Sequence, residues 1–387
     1  MFLVKNLMFY LNLPNTSTLE KKYINDAIDK GWLSSSGEHT KILEKKIAKF
    51  IGVKYCVAVQ SGTAALHAAL LGMGAKKGTK IVSPNYSCIS NLSSIAQCSS
   101  IPVLVDVELE TFGLDLELLK KAINKYKPKI IQIVHVYGHP AKNTAEIIEY
   151  CKNKNILVLE DGSEALGATI EGKKIGSFGD VSIFSTRSEK MIGVGEGGLI
   201  CTNNKKIFKK ILLYCSRGAS ERSKNDKYWK KYLISELGFN YLLPHLLGAV
   251  GRGQIERFQK EILPRKINVG KLYRKIFKEN DKFKLIQINI PGNKAVYWLN
   301  GIFLKNLNKK NIFKLGEKLQ KKGVEVRSGF WPLSDFKFFK SKLVLNGNSK
   351  SIFNKIIILP SNWRLVEKDI IKIKNIVNNE LKKISGS

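Results

Sequence analysis

Two residues in the middle of the chain have the types and the spacing for acid and amine chemistry. Asp161 ends the apolar run ILVLED, and Lys190 comes six residues after the next predicted strand, VSIF. A carboxylate and an amine at neighbouring strand ends suit pyridoxal 5′-phosphate. The acid would keep the pyridine nitrogen protonated, and the lysine would bind the cofactor as a Schiff base and move the proton. The alternatives are that Asp161 caps the following helix and that Lys190 is one lysine among many.

A turn of small polar residues near residue 62 is a candidate phosphate site. Ser61, Gly62 and Thr63 follow the predicted strand YCVAV and open the predicted helix AALHAALLGMG. Backbone N–H groups at the start of a helix are available as donors, and the helix dipole adds positive charge there. The same residues are also common as a plain helix cap. Ser185, shortly before Lys190, offers a further hydroxyl for a phosphate, although polar turn residues look the same.

Predicted strands and helices alternate between residues 55 and 202. The strands are nearly continuous runs of Val and Ile, which is typical of strands buried on both faces of a mainly parallel sheet. Ligand sites in such α/β folds lie beyond the carboxyl ends of the strands. That rule places four segments along one edge: Ser61–Thr63, Tyr86–Cys88, His135–Gly138 and Asp161. His135 is a candidate ligand contact at this edge, and ordinary packing is the alternative.

The predicted organisation is a large domain followed by a smaller one, for which 387 residues are sufficient. Residues 1–255 form the large, cofactor-binding domain, which begins with a helical N-terminal segment. Residues 256–387 contain a linker helix and a small domain in which separated strands alternate with basic amphipathic helices. The polar segment Ser216–Tyr232 is predicted to be an exposed excursion of the chain.

The composition is that of a folded, soluble protein and argues against several functional classes. No uncharged apolar run reaches about 18 residues, so no membrane span is predicted, and the N-terminus lacks the features of a signal peptide. Six cysteines are scattered without a CxxC pair or a Cys/His cluster, which predicts reduced thiols, no metal site and a cytoplasmic location. The net charge of +33 is spread along the chain without a basic block, so no nucleic-acid partner is predicted.

Several motifs occur in one family's order over nearly the whole chain. They are GWLSSSG, YCVAVQSGTAALHAALL, PVLVDVELETFGLD, VHVYGHP, LEDGSEALGATIEGKKIGSFGDVSIFS, KMIGVGEGG, GFN, VEVRSGFWPL and LPSN. Each motif is modest support alone, but together they are highly specific. The chain resembles the DegT/StrS family of pyridoxal phosphate-dependent nucleotide-sugar aminotransferases. The resemblance implies the type I aminotransferase fold, in which an α/β large domain with a mainly parallel mixed sheet precedes a smaller α+β domain.

The resemblance also implies roles for individual residues. Lys190 would be the Schiff-base lysine, and Asp161 would be the partner of the pyridine nitrogen. Further cofactor contacts are implied at Gly62, Thr63, Cys88, Ser163, Glu164, Ser185 and Asn240. Asn240 matches a residue that reaches the cofactor phosphate of the neighbouring subunit, which implies a homodimer with shared active sites. The candidate substrate contacts are Tyr86, His135, Arg187 and Arg327.

Three positions depart from the family pattern. Cys88 stands where the family has an aromatic residue that stacks on the pyridine ring, so either Tyr86 replaces that aromatic residue or Cys88 packs alone. Leu242 replaces an arginine near the phosphate, and Arg187 is the candidate to supply the missing charge. Glu189 replaces a small polar residue just before the lysine. These changes leave the reaction class unaltered and bear on the substrate.

The implied activity moves an amino group from an amino acid, expected to be L-glutamate, to a keto sugar on a nucleotide. A GDP- or UDP-linked 4-keto-6-deoxyhexose for cell-surface polysaccharide or glycan synthesis is the expected acceptor. A smaller phosphorylated ketone is an alternative acceptor, and a non-catalytic regulatory homologue is an alternative class. Related dehydratases carry a histidine at the lysine position, whereas this chain retains Lys190.

Overall fold

The computed structural model describes residues 8–35, 37–219 and 234–385. Most of the excursion predicted at Ser216–Tyr232 therefore lies outside the described residues. Among the residues described, no helix is both long and apolar enough to cross a membrane. Within the same ranges, no group of three or more His, Cys, Asp or Glu side chains is placed to hold a metal ion.

An eight-stranded sheet forms the centre of the fold. Its strands, in order across the sheet, are β1 (Tyr55–Val59), β9 (Gly198–Thr202), β8 (Val181–Ser185), β5 (Leu157–Asp161), β4 (Ile130–Val134), β2 (Lys80–Pro84), β3 (Ile101–Val105) and β14 (Lys342–Val344). Neighbouring strands from β8 to β14 pair in parallel, whereas β9 is antiparallel to both of its neighbours. The prediction of a mainly parallel mixed sheet is confirmed.

Helices connect these strands and cover the sheet. They are α1 (Thr18–Asp29), α2 (Glu38–Ile51), α3 (Gly62–Gly72), α4 (Ile89–Gln97), α5 (Leu116–Tyr126), α6 (Thr144–Asn153), α7 (Lys205–Cys215) and α8 (His245–Arg257). Side chains alternate between the two faces along each strand. Ile81 accordingly packs in a core cluster with residues of α3, α4 and α7. Its neighbour Val82 packs in a second cluster with residues of α5 and α6.

The C-terminal part of the chain forms a second, antiparallel sheet. Its strands are, in order, β10 (Phe283–Leu285), β12 (Asn300–Leu304), β15 (Ile356–Leu359) and β13 (Arg327–Ser328). The accompanying helices are α9 (Leu263–Ile276), α10 (Lys309–Lys321), α11 (Asn348–Lys355) and α12 (Glu367–Ser385). A small third sheet joins β11 (Asn293–Lys294), β6 (Thr169–Ile170) and β7 (Lys173–Lys174). The predicted smaller α+β unit is present.

The two parts of the chain are closely joined. Strand β14 follows β13 in the chain but pairs in parallel with β3 at the edge of the large sheet. Helix α8 runs across the boundary that we predicted between residues 255 and 256, and that boundary stays a prediction. The carboxyl ends of β4, β5 and β8 and the start of α3 converge on one edge of the large sheet, where the candidate site lies.

Candidate active site

A cavity of about 430 Å³ opens at this edge of the sheet. Its lining contains ten of the predicted site residues, which are Gly62, Thr63, Cys88, Asp161, Ser163, Glu164, Ser185, Arg187, Lys190 and Arg327. Residues that we did not predict as site residues also line the cavity, and the ones important here are Ser90, Asn91, Glu196, Trp298 and Phe330. The expectation that a ligand site lies beyond the carboxyl ends of the strands thus gave the position of the cavity but not all of the residues that line it.

Asp161 is a buried hydrogen-bond acceptor at the end of β5. Only 4% of the residue is exposed. Its Oδ2 atom accepts a hydrogen bond from Nδ2 of Asn91 at 2.9 Å, and its Oδ1 atom accepts one from the backbone N–H of Ser163 at 3.0 Å. The two donors fix the orientation of the carboxylate. Asn91 could have been found as a polar residue on the apolar face of α4, because it lies four positions before buried Ile95.

The N-terminus of α3 lies at another part of the cavity wall. Ser61 caps the helix through its side chain, and Gly62 and Thr63 belong to the first turn. A Cβ atom at Gly62 would lie 3.1 Å from Cβ of Ser185, so the glycine allows Ser185 to pack closely on the helix start. Oγ1 of Thr63 donates a hydrogen bond to Oγ of Ser90 at 2.9 Å. Hydroxyl groups around a helix N-terminus are suited to a phosphate dianion.

Lys190 lies beside a buried carboxylate. Its Nζ atom is 3.1 Å from Oε1 of Glu164, and Oε2 of Glu164 accepts a hydrogen bond from the backbone N–H of Tyr137 at 2.8 Å. Burial raises the pKa of Glu164, and the charge of Lys190 opposes part of this rise. The lysine nitrogen also lies 3.6 Å from the centroid of the Trp298 ring. The structure therefore gives the amine two defined neighbours.

Tyr86 does not line the cavity of its own subunit, and its role as a substrate contact stays a prediction. Its side chain is fully buried. The hydroxyl oxygen lies 3.0 Å from that of Tyr137 and accepts a hydrogen bond from the backbone N–H of Phe330 at 3.2 Å. A turn of Tyr86 into the cavity would break both hydrogen bonds and expose the ring. Cys88, exposed at the cavity, is thus the residue at the predicted stacking position.

His135 does not line the cavity either, and its role as a ligand contact stays a prediction. The residue is fully buried, and its Nε2 atom lies 3.2 Å from Oε1 of Glu160. Its Nδ1 atom accepts a hydrogen bond from the backbone N–H of Ala141 at 3.0 Å. Burial acts to raise the pKa of Glu160, but hydrogen bonds from His135 and from backbone N–H groups lower it. Since successive side chains of β5 point to opposite faces, Glu160 and Asp161 serve different sides of the sheet.

Two arginines stand at the mouth of the cavity. Arg187 is 3.1 Å from Oε1 of Glu196 and 3.2 Å from Oε1 of Glu189, so two carboxylates neutralise its charge. It is therefore poorly placed to supply the charge that the family arginine would bring to the phosphate. Arg327 has one carboxylate within 4 Å among the described residues, that of Glu325 at 3.9 Å, and its side chain is about half exposed. Arg327 is the less neutralised of the two cations.

Asn240 lies outside the cavity of its own subunit. The residue is exposed, and its backbone forms a bridge with Ser216. Its predicted contact is with the cofactor of a neighbouring subunit, so an exposed position agrees with that prediction without testing it.

The lining of the cavity fits pyridoxal phosphate in its chemistry. Asp161 would supply a buried carboxylate for the pyridine nitrogen, and Lys190 would supply an amine for the aldehyde carbon. The start of α3 with Thr63 and Ser185 would supply donors for the phosphate. In addition, Oδ1 of Asn91 is buried and has no hydrogen-bond partner among the described residues, although it lies beside the carboxylate that Asn91 contacts. All of the predicted cofactor residues except Asn240 line this cavity.

Comparison with known proteins points to the same class. The sequence model of the DegT/DnrJ/EryC1/StrS aminotransferase family matches residues 14–378. GDP-perosamine synthase of Vibrio cholerae is 30% identical over 376 residues, which are 95% of this chain and 97% of the relative. GDP-perosamine synthase of Caulobacter vibrioides is 33% identical over 320 residues, which cover 83% and 84%. The solved E. coli GDP-4-keto-6-deoxy-D-mannose-3-dehydratase with bound hydrated pyridoxal phosphate superposes with a TM-score of 0.87 at 23% identity, covering 96% and 100%.

The fold and the site therefore define an aminotransferase with pyridoxal phosphate as its cofactor. The chain belongs to the DegT/DnrJ/EryC1/StrS aminotransferase family. The predicted family, enzyme class and cofactor are confirmed, and the likeness to the dehydratase supports the fold. The roles predicted for individual residues stay predictions.

Proposed function

We propose that this aminotransferase transfers the amino group of an amino acid, expected to be L-glutamate, to C4 of a 4-keto-6-deoxyhexose linked to GDP. The product would serve cell-surface polysaccharide or glycan synthesis. The observation that carries the proposal is the placement of Asp161, Lys190 and the start of α3 around one cavity, with arginines at its mouth. These groups supply the contacts that a cofactor and an anionic sugar nucleotide need.

Each of these residues has a chemical task. Bound pyridoxal phosphate supplies an electron-accepting ring, which stabilises negative charge on the substrate carbon. Lys190 would hold the cofactor through its aldehyde carbon and, once released, move the proton between substrate and cofactor. Asp161 would keep a proton on the pyridine nitrogen. The backbone N–H group of Thr63 and the hydroxyl group of Ser185 would donate hydrogen bonds to the phosphate.

The choice of a GDP-linked keto sugar is supported by the relatives and by the mouth of the cavity. Two relatives that match most of the chain are named GDP-perosamine synthase, and the dehydratase of the same fold is named for GDP-4-keto-6-deoxy-D-mannose. Arg327, which is only weakly neutralised by Glu325, would contact the diphosphate. Arg187 is exposed at the same mouth, but it would have to release one of its two carboxylate partners before it could contact the diphosphate.

A screen of keto substrates tests the acceptor. The protein is loaded with pyridoxamine phosphate and mixed with GDP-4-keto-6-deoxymannose, and we expect the visible absorbance of pyridoxal phosphate to return as a GDP-linked amino sugar forms. UDP-linked 4-keto sugars and small phosphorylated ketones are the matched alternatives. Return of the absorbance with a small ketone but with neither sugar nucleotide would contradict the proposal and favour the smaller acceptor.

We further propose that the enzyme acts as a cytoplasmic homodimer with shared active sites. The support is the position of Asn240, which is exposed and outside its own cavity although it matches a cofactor-contacting position of the family. A residue that serves the partner's site has to lie at the subunit surface.

Subunit mixing tests this arrangement. Lys190→Ala and Asn240→Ala are each expected to be inactive alone. Mixed dimers of the two co-expressed variants should have about half of the unmodified activity, because one of their two sites is intact. Activity is measured on dimers purified through a different tag on each chain. If the mixed dimer stays inactive although both chains fold and associate, Asn240 does not serve the partner's site.

A further inference from the structure

The contact between Lys190 and the ring of Trp298 is not required by the proposed function. Nζ of Lys190 lies 3.6 Å from the centroid of the Trp298 ring and 3.1 Å from the Glu164 carboxylate. Trp298 is 4% exposed, and a cation over an aromatic face is attracted most strongly where water is excluded. The indole therefore contacts the reacting nitrogen of the site directly.

The same indole also fixes the backbone next to the lysine. Nε1 of Trp298 donates a hydrogen bond to the carbonyl oxygen of Glu189 at 2.6 Å, and Nδ2 of Asn12 donates to the same oxygen. This carbonyl belongs to the peptide that joins Glu189 to Lys190. Fixing that peptide plane fixes the direction in which the lysine side chain leaves the backbone.

Trp298 is held by the turn that also holds Glu164. The backbone N–H of Val296 donates to the carbonyl of Gly138 at 2.9 Å, and the backbone N–H of Tyr137 donates to Glu164 at 2.8 Å. Gly138 has a φ of +94°, and a Cβ atom there would lie only 2.4 Å from the backbone nitrogen of Trp298. Glycine is required for this approach. The turn at Tyr137 and Gly138 therefore contacts both Glu164 and the backbone around Trp298, which are the two neighbours of the lysine nitrogen.

A second layer orients Asn12. Nζ of Lys266 donates hydrogen bonds to Oδ1 of Asn12 at 3.2 Å and to the carbonyl of Ser361. Because the oxygen of the Asn12 amide faces Lys266, its Nδ2 group faces Glu189. Lys266 is buried, and burial lowers its pKa to about 7. Asn12 and Lys266 act through Glu189, so they are positioning residues.

We propose that Trp298 is a further catalytic residue, whose ring holds the free Lys190 ammonium between the two half-reactions and so shifts the balance towards free lysine. The inference rests on the proposed function, because an aminotransferase must release its lysine whenever the cofactor carries the amino group. At that stage the ammonium lies between the Glu164 carboxylate and the indole face. Weakening the ring contact should therefore favour the lysine that is bound to the cofactor.

The equilibrium between free Lys190 and cofactor-bound Lys190 can be measured with three variants. Trp298→Leu removes the ring, and Trp298→Phe keeps a ring but removes the indole N–H. Trp331→Leu is the matched control, because Nζ of Lys309 lies 4.5 Å from the centroid of the Trp331 ring and neither residue lines the cavity. The readout is the ratio of L-glutamate to 2-oxoglutarate at which half of the visible absorbance is lost. We expect this ratio to rise about tenfold in Trp298→Leu and to stay within about twofold in Trp298→Phe. Trp331→Leu should match the unmodified enzyme.

A second measurement needs no cofactor. An amine is acylated only in its neutral form, so a ring that favours the ammonium protects Lys190. In the cofactor-free protein at a fixed pH, acylation of Lys190, followed by mass spectrometry of its peptide, should be about tenfold faster in Trp298→Leu than in Trp298→Phe. Equal rates in these two variants, or equal glutamate ratios, would overturn the role of the ring.

Fluorinated tryptophan tests the ring without altering packing. Each added fluorine weakens the attraction of a cation to the ring face but leaves the indole N–H in place. The acylation rate should rise stepwise with fluorine content in the unmodified sequence and stay constant in the Trp298→Phe background, which corrects for the other four of the five tryptophans. A flat response in both would overturn the proposal. Failure of L-glutamate to change the absorbance of the unmodified protein would instead count against the proposed function.

Discussion

Replacing Lys190 with alanine is expected to abolish transamination, with a loss of about 10⁴-fold or more in turnover, because in the proposed function one amine would both bind the cofactor and move the proton. The variant should fold normally, since the polar contacts of the lysine side chain with the described residues are those to Glu164 and to the face of Trp298. Its visible absorbance should disappear after dialysis against the amino donor. The measurement is steady-state turnover together with the absorbance of the dialysed protein.

Lys173→Ala is the matched control for this variant. Lys173 also lies over an aromatic ring, that of Phe178 at 4.4 Å, but it is exposed and does not line the cavity. Its replacement should leave turnover and absorbance unchanged. A small primary amine added to Lys190→Ala should restore part of the proton transfer, because the truncated side chain leaves room beside Glu164. Full turnover in Lys190→Ala without any added amine would show that another residue holds the cofactor.

The positions of Asp161 and Lys190 at the cavity could be predicted from the sequence because they follow a local rule. Asp161 ends a strand and Lys190 follows the next one, so the parallel sheet alone brings them to one edge. The start of α3 follows from the same rule and from the small residues that open the helix. In each case a short stretch of chain fixes both the position of the residue and the side of the sheet that it reaches.

The walls of the cavity could not be predicted in this way. Trp298 lies 109 residues after Glu189, whose carbonyl it contacts. No local sequence pattern predicts a contact between residues so far apart in the chain. Tyr86 and His135 both follow the carboxyl ends of strands, but that position shows only which edge of the sheet a residue occupies and not where its side chain points. Tyr86 points into the protein because Tyr137 and Phe330 satisfy its hydroxyl group. His135 is turned away because Glu160 and not Asp161 is its partner.

The Asp161→Asn variant is expected to lower turnover about 10³-fold while preserving the fold. The amide has the shape of the carboxylate but carries no charge to keep the pyridine nitrogen protonated. It also has only one acceptor atom for the two donors that now reach Asp161, Nδ2 of Asn91 and the backbone N–H of Ser163. One donor must then face the new NH₂ group, so cofactor affinity should fall as well. Single-turnover loss of absorbance with L-glutamate and a cofactor titration measure the two effects separately.

A cofactor analogue distinguishes charge from shape. Pyridoxal phosphate methylated on the ring nitrogen carries a permanent positive charge, so it should restore much of the lost rate in Asp161→Asn if the carboxylate acts by keeping that nitrogen charged. Asp180→Asn is the matched control, since Asp180 accepts a backbone hydrogen bond from Val158 at 2.8 Å but does not line the cavity. It should keep normal turnover. If the analogue restores nothing although it binds, Asp161 acts by holding Asn91 and Ser163 in place, and the assignment of its charge to the pyridine nitrogen is wrong.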